Sequence, residues 1–188
     1  MRFVVLAAFL TLAACGQAAA PVDEPPPQDW SQLPEALADA SLSSDGLGPI
    51  RIGDLVAAVR DAFPNRFEEG EAYEASPNCR EYGLFASPPG QVALLAYDGV
   101  VHRISLYDTV LRTDRGVGIG SSAAEVMAAY PDAERQSTEY TPAPGHELMV
   151  WTDREDHVGL RFEIGENELV TAIHAGSDLN NIEGCATI

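Results

Sequence analysis

Four histidines, twenty-nine carboxylates and three cysteines are the side chains through which this chain could act on a substrate, a metal ion or a thiol. His102, His146, His157 and His174 are spread through the second half of the sequence. None has a second histidine four residues away, so a helical H-E-x-x-H zinc site has no local support. Glu155-Asp156-His157 sets two acids beside an imidazole, as a general base requires, but at a predicted hairpin turn where charged residues are ordinary. His102 lies on a strand face with Val100, Ile104 and Leu106 and reads as a hydrogen-bonded packing residue. Neither a G-x-S-x-G nucleophile elbow nor a G-x-G-x-x-G dinucleotide fingerprint occurs. Gly116-Val117-Gly118-Ile119-Gly120, placed before a helix, could cradle a phosphate. It lacks a lysine, and the matching earlier stretch keeps a glycine only at Gly53. Glu68, Glu69, Glu71 and Glu74 lack the ligand spacing of a calcium loop, as do Asp178, Asn180, Asn181 and Glu183. No catalytic residue is assigned from these patterns, and neither a metal nor a cofactor is expected.

The bulk composition narrows the classes further. The 188 residues carry a formal charge of −18, and all eleven basic residues are arginine. Such a field repels phosphate backbones, so no nucleic-acid partner is expected. The absence of lysine excludes Schiff-base chemistry and a P-loop lysine. A hydrophobic fraction of 46% is enough for a packed core.

The elements that must position these groups come in two copies. Ile52, Gly53, Ala57, Val59, Ala62 and Pro64 recur as Ile119, Gly120, Ala124, Val126, Ala129 and Pro131, at a constant offset (120 − 53 = 67; 131 − 64 = 67). Each copy reads as a glycine turn, a helix of about three turns and a proline stop. In the first, Asp54 is the expected cap. In the second, Ser122 and Glu125 form a capping box. Three strands follow each helix on pattern: 80–86, 91–97 and 100–107, then 147–152, 158–164 and 169–175. Residues 41–46 and 65–78 read as loops, and 30–40 as a short helix. The expected fold is α+β: two tandem helix-plus-three-strand repeats, 47–112 and 113–188, forming one antiparallel sheet with both helices on one face. The opposite face would be open, with Arg103, Tyr107, Trp151 and His174 as its candidate binding residues.

The N-terminus carries a positive Arg2, an apolar run of about ten residues, too short for a bilayer span, and then Leu12-Ala13-Ala14-Cys15. This resembles a bacterial lipobox. The resemblance implies removal of residues 1–14, lipidation of Cys15 with several acyl chains (palmitate among them), and anchoring in the outer membrane because Gly16 follows the cysteine. Residues 15–46 then form the lipidated cysteine, a Pro/Ala-rich tether and the possible short helix. With Cys15 used, Cys79 and Cys185 remain as an even pair in an oxidising compartment. A disulfide is expected; a catalytic or metal-binding thiol is the alternative.

The paired turn-helix stretches at Ile52-Gly53 to Val59 and Ile119-Gly120 to Val126, with the lipobox, resemble the β-lactamase-inhibitor-protein-like repeat and the small SmpA/OmlA outer-membrane lipoproteins. The ending Ile182-Glu183-Gly184-Cys185 resembles uncharacterised proteobacterial lipoproteins with two such repeats. These resemblances imply a binding, inhibitor or assembly module with a concave sheet face. With the anchor, the tether, the repeat and no catalytic constellation, the expected function is a non-enzymatic lipoprotein that binds an envelope protein through its open sheet, held by Cys15 to the outer membrane and facing the periplasm or the cell surface. A periplasmic hydrolase using His157 or His174 and a sugar- or peptidoglycan-binding module are the alternatives.

Overall fold

Period-two alternation, rather than helical periodicity, builds this chain. The computed structural model describes residues 34–64, 66–70, 74, 76–84, 92–107, 110–137, 141, 143–180 and 184–186. The lipobox with Cys15, the tether, the first residues of the expected 30–40 helix, Glu71, Asn181 and Glu183 lie outside the described residues.

The strands are β1 (Ser41–Ser43), β2 (Gly46–Leu47), β3 (Ile50–Arg51), β4 (Phe67–Glu69), β5 (Cys79–Leu84), β6 (Val92–Tyr97), β7 (Val100–Tyr107), β8 (Arg112–Thr113), β9 (Glu134–Gln136), β10 (His146–Asp153), β11 (Val158–Ile164) and β12 (Val170–Gly176). Two seven-residue helices, α1 (Val56–Ala62) and α2 (Ala123–Ala129), interrupt them. β4 through β7 and β9 through β12 form one eight-stranded sheet in the order β4-β5-β6-β7-β12-β11-β10-β9. A second, four-stranded sheet has the order β3-β2-β1-β8.

The α+β expectation of helix-plus-three-strand units sharing one sheet is therefore overturned: the described residues are β-rich, with two sheets and, among them, only two short α-helices. The error has a physical origin. The stretches read as loops at 41–46 and 65–78, and the polar residues after Pro131, form two- and three-residue strands too short to show alternation. The short helix expected at 30–40 appears among the described residues only as a 3-10 turn, Glu35–Leu37.

One face of the large sheet holds the main core. Leu84, Leu94, Ile104 and Leu106 pack there with Ile173, Phe162, Leu160 and Leu148. Val56, Val59 and Phe63 from α1, and Ala123, Val126 and Tyr130 from α2, cover them, and Leu42, Leu47 and Ile50 of the small sheet join the same cluster. Helices this short are marginal alone, so packing on the sheet supplies their stability. The glycine turns are tied into the same layer. Gly53, at φ +94, donates its N–H to Val101 O at 2.8 Å, and Gly120, at φ +83, donates to Val170 O at 2.9 Å. Those amides are committed to strand carbonyls, which removes the phosphate-cradle reading. Ser122 and Glu125 form the expected capping box. Asp54 does not cap α1: its carboxylate accepts from Arg51 N at 2.8 Å, and Leu55 holds the N-cap position.

A β-bulge also changes the expected facing of β7. The register steps from Leu95↔Arg103 to Ala96↔Val101, leaving His102 as the extra residue. Val101 thereby joins Ile104 and Leu106 in the core, although simple alternation turns it away. His102 sits at the rim, where its Nδ1 lies 3.2 Å from Ser177 Oγ.

After β12 the chain turns at Gly176 and crosses the helix-free face. Leu179 is fully buried, and Cys185 is bonded to Cys79 at the start of β5, with 5.4 Å between Cα atoms. The expected disulfide is present. Replacing Cys79 and Cys185 with serine is expected to cost up to about 4.7 kcal/mol for so long a loop, measurable as a lower denaturation midpoint. Ser122→Ala is expected to cost about 1 kcal/mol through the lost cap, checked by the same titration.

Candidate functional site

The helix-free face of the large sheet carries a layer of polar side chains. The central pairing of β7 with β12 sets Ser105 opposite His174. β11 places Arg161 opposite His174, and β10 places Glu147 opposite Glu163. Ser105 Oγ lies 2.8 Å from His174 Nδ1, and His174 Nε2 lies 2.9 Å from Glu163 Oε1. Arg161 Nη2 reaches the same Glu163 oxygen at 3.4 Å, while its Nη1 donates to Leu179 O at 2.8 Å. Arg103 Nη1 donates to Asp178 O at 3.3 Å. The two guanidiniums thus hold the returning C-terminal strap against the sheet.

This layer is interior. Ser105 is 4% exposed and His174 2%. Burial pushes the His174 imidazole down to about 4, against the opposing pull of Glu163. The ring is therefore neutral at pH 7, with Nε2–H donating to Glu163 and Nδ1 accepting from the Ser105 hydroxyl. Burial pushes the Glu163 carboxyl up, but the His174 hydrogen bond and the guanidiniums of Arg161 and Arg103 outweigh it and leave the carboxyl below its ordinary range. With His174 neutral, its contribution is the N–H bond rather than a charge.

Serine, histidine and acid in sequence invite comparison with a hydrolytic triad. The environment opposes it. A base held near pH 4 is a weak proton acceptor at neutrality. β7 and β12 have neighbours on both sides, so ladder bonds engage their amides and leave no converging N–H pair for an oxyanion. His157, the other candidate base, is exposed in the β10–β11 turn. Its ring centre lies 6.0 Å from that of Trp151. Among the described residues no group of three or more His, Cys, Asp or Glu side chains is arranged to hold a metal ion.

The four residues expected on an open binding face separate. Arg103 and His174 are buried. Tyr107 is half-buried, edge-on to His174 with ring centres 5.7 Å apart. The face is not open at these positions, because the strap lies over Arg103 and Arg161. Trp151 stands apart, on a groove of about 470 Å³ between the end of α2 and the β9–β10 edge. Tyr130, Asp132, Glu134, Arg115 and Arg154 line the groove with it. The Arg115 guanidinium lies 4.7 Å from the centre of the Tyr130 ring, and that of Arg154 5.5 Å from the Trp151 ring. Arg154 also pairs with Glu134 and holds its carboxyl below the usual range. Sequence reading found Trp151 but missed its neighbours. Only Arg154, three residues further along the same hairpin, carried a local signal.

The buried histidine gives the layer a pH dependence. Its folded value lies below the ordinary 6.5, so its contribution is complete above about pH 6.5 and is lost as pH falls towards about 4. The displacement corresponds to stability on the order of 3 kcal/mol. His174→Gln is expected to reduce the loss of stability on acidification, read from urea midpoints at neutral and acid pH.

No family model matches the chain, and no curated protein matches it. Among solved structures, the fold is similar to that of the uncharacterized protein yfeY from Escherichia coli, with 16% identity and a TM-score of 0.52 over 72% of this chain and 99% of that one. At that identity the likeness extends to the fold alone.

Proposed function

We propose that the protein is a non-enzymatic lipoprotein of the bacterial envelope that binds a partner protein through the groove at Trp151. The observation that carries the reading is a groove at the β9–β10 edge in which two exposed arginines, Arg115 and Arg154, flank the half-buried Trp151, with the buried Tyr130 ring as its floor. Tyrosine, tryptophan and arginine are the side chains that contribute most at protein interfaces. They offer large contact area with little conformational freedom to lose, and guanidiniums can exchange an internal partner for a carboxylate on another protein. Residues 12–15 support anchoring through Cys15, and the acidic, proline-rich stretch after it supports a spacer between membrane and domain. The buried, neutral His174, a weak base at pH 7, argues against the hydrolase alternative.

Two measurements test the reading. A photo-crosslinking residue at Thr152 in cells is expected to give one reproducible protein adduct, abolished by Trp151→Ala together with Arg154→Glu. No adduct, or an adduct indifferent to those changes, counts against the groove. Metabolic labelling with palmitate is expected to mark the chain and to fail in Cys15→Ala, which should leave the membrane fraction.

A further inference from the structure

We propose that Glu147 is a proton-controlled latch on the β9–β10 edge of the large sheet: uncharged, it stays packed on the helix-free face, and on ionisation it draws that edge open. The inference rests on two acids that face one another in the buried layer. Glu147 is 2% exposed and lies directly across from Glu163 on the neighbouring strand. Carboxylates facing one another in this way repel when both are ionised. His174 Nε2 and Arg161 Nη2 bond to Glu163, while Arg161 Nε is buried without a hydrogen-bond partner. Arg161 Nη1 is committed to Leu179 O. Glu147 Oε1 has no hydrogen-bond partner.

Among the described residues, Arg161 is the cation that acts on Glu147. On its other side, β9 presents the neutral Gln136. Arg135 of β9 pairs with Leu148 and so belongs to the opposite face, while Glu134 follows one step along, across from Met149. β11 contributes Arg161 and Glu163, β12 contributes His174, and β7 contributes Arg103 and Tyr107 further off. His146, the preceding residue, turns to the other side of its strand, where its Nδ1 lies 3.4 Å from Pro144 O. Burial raises the Glu147 carboxyl above its ordinary range; Arg161 opposes that and Glu163 adds to it.

The cheapest route to water for an ionised Glu147 runs past β9. That strand has three residues, pairs with β10 alone and ends the sheet, so releasing it breaks few bonds. The sign follows from linkage. A raised folded value means that the contribution of Glu147 is complete below the ordinary 4.5 and is lost as pH rises through the folded value. His174 acts in the opposite direction.

The test is amide hydrogen exchange on the full-length chain between about pH 5 and about pH 8, corrected for the intrinsic pH dependence of exchange. Protection of 134–136 and 147–149 is expected to fall by roughly tenfold or more across that range, while the β5–β6 ladder keeps its protection. Glu147→Gln is expected to hold the acid-state protection throughout. A flat wild-type profile, or the same loss in Glu147→Gln, overturns the proposal. If that variant does not fold, a carbon-13 carboxyl titration of Glu147 in the wild-type chain decides. A raised midpoint coinciding with the loss of protection supports the latch, and an ordinary midpoint overturns it.

Discussion

The pairing of β7 with β12 is the constraint on which the rest of the molecule depends. It joins strands from the two halves of the chain at the middle of the eight-stranded sheet. Because the side-chain period is two, one register decides both faces together. On one side it brings Ile104 and Leu106 against Ala175 and Ile173, under the helices. On the other it sets Ser105 against His174, from which the hydrogen bonds to Glu163 and Arg161 follow. A slip of one residue would send the polar row into the main core and the apolar row beneath the strap. The β-bulge at His102 lies beside this junction and restores Val101 to the core face.

A layer of charged groups under a strap is a demanding way to finish a sheet. Removing one partner of a buried ion pair costs about 3–5 kcal/mol, because the other is left charged and dry. Arg161, 1% exposed, therefore requires Glu163 and the Leu179 carbonyl at the same time. The disulfide from Cys79 to Cys185 holds the strap where those carbonyls meet the guanidiniums. Stability on this face arises from covalent attachment and hydrogen bonds, whereas on the helix face it arises from apolar burial.

The long strands were legible because alternation depends only on neighbours along the chain. The bounds read for β7 and β11 match those observed, and the Ser122–Glu125 cap was visible because four adjacent residues contain all of its chemistry. Three kinds of feature were hidden. β4 and β9 are too short to establish a period. The bulge at His102 shifts facing by an amount that only the partner strand reveals. Burial of Arg103, Arg161 and His174 depends on a strap that meets them from far along the chain, and an arginine on the outer face of an antiparallel strand ordinarily reads as solvated. The candidate groove was legible at Trp151 alone, because Arg115 and Tyr130 come from a different element of the fold.

The sheet has two free margins, and both are built alike. β4 consists of Phe67, Glu68 and Glu69, and β9 of Glu134, Arg135 and Gln136. An unpaired strand edge is a template on which another chain can add. Here each template is only three residues long and carries charged side chains: the acids Glu68 and Glu69 on β4, and Glu134 and Arg135 on β9. Two copies approaching β4 to β4 meet repulsion before they can form a ladder worth keeping, and β9 offers too few ladder bonds to hold one. Growth of the sheet beyond eight strands is thereby discouraged from both sides, and the large sheet can persist without seeding a fibre.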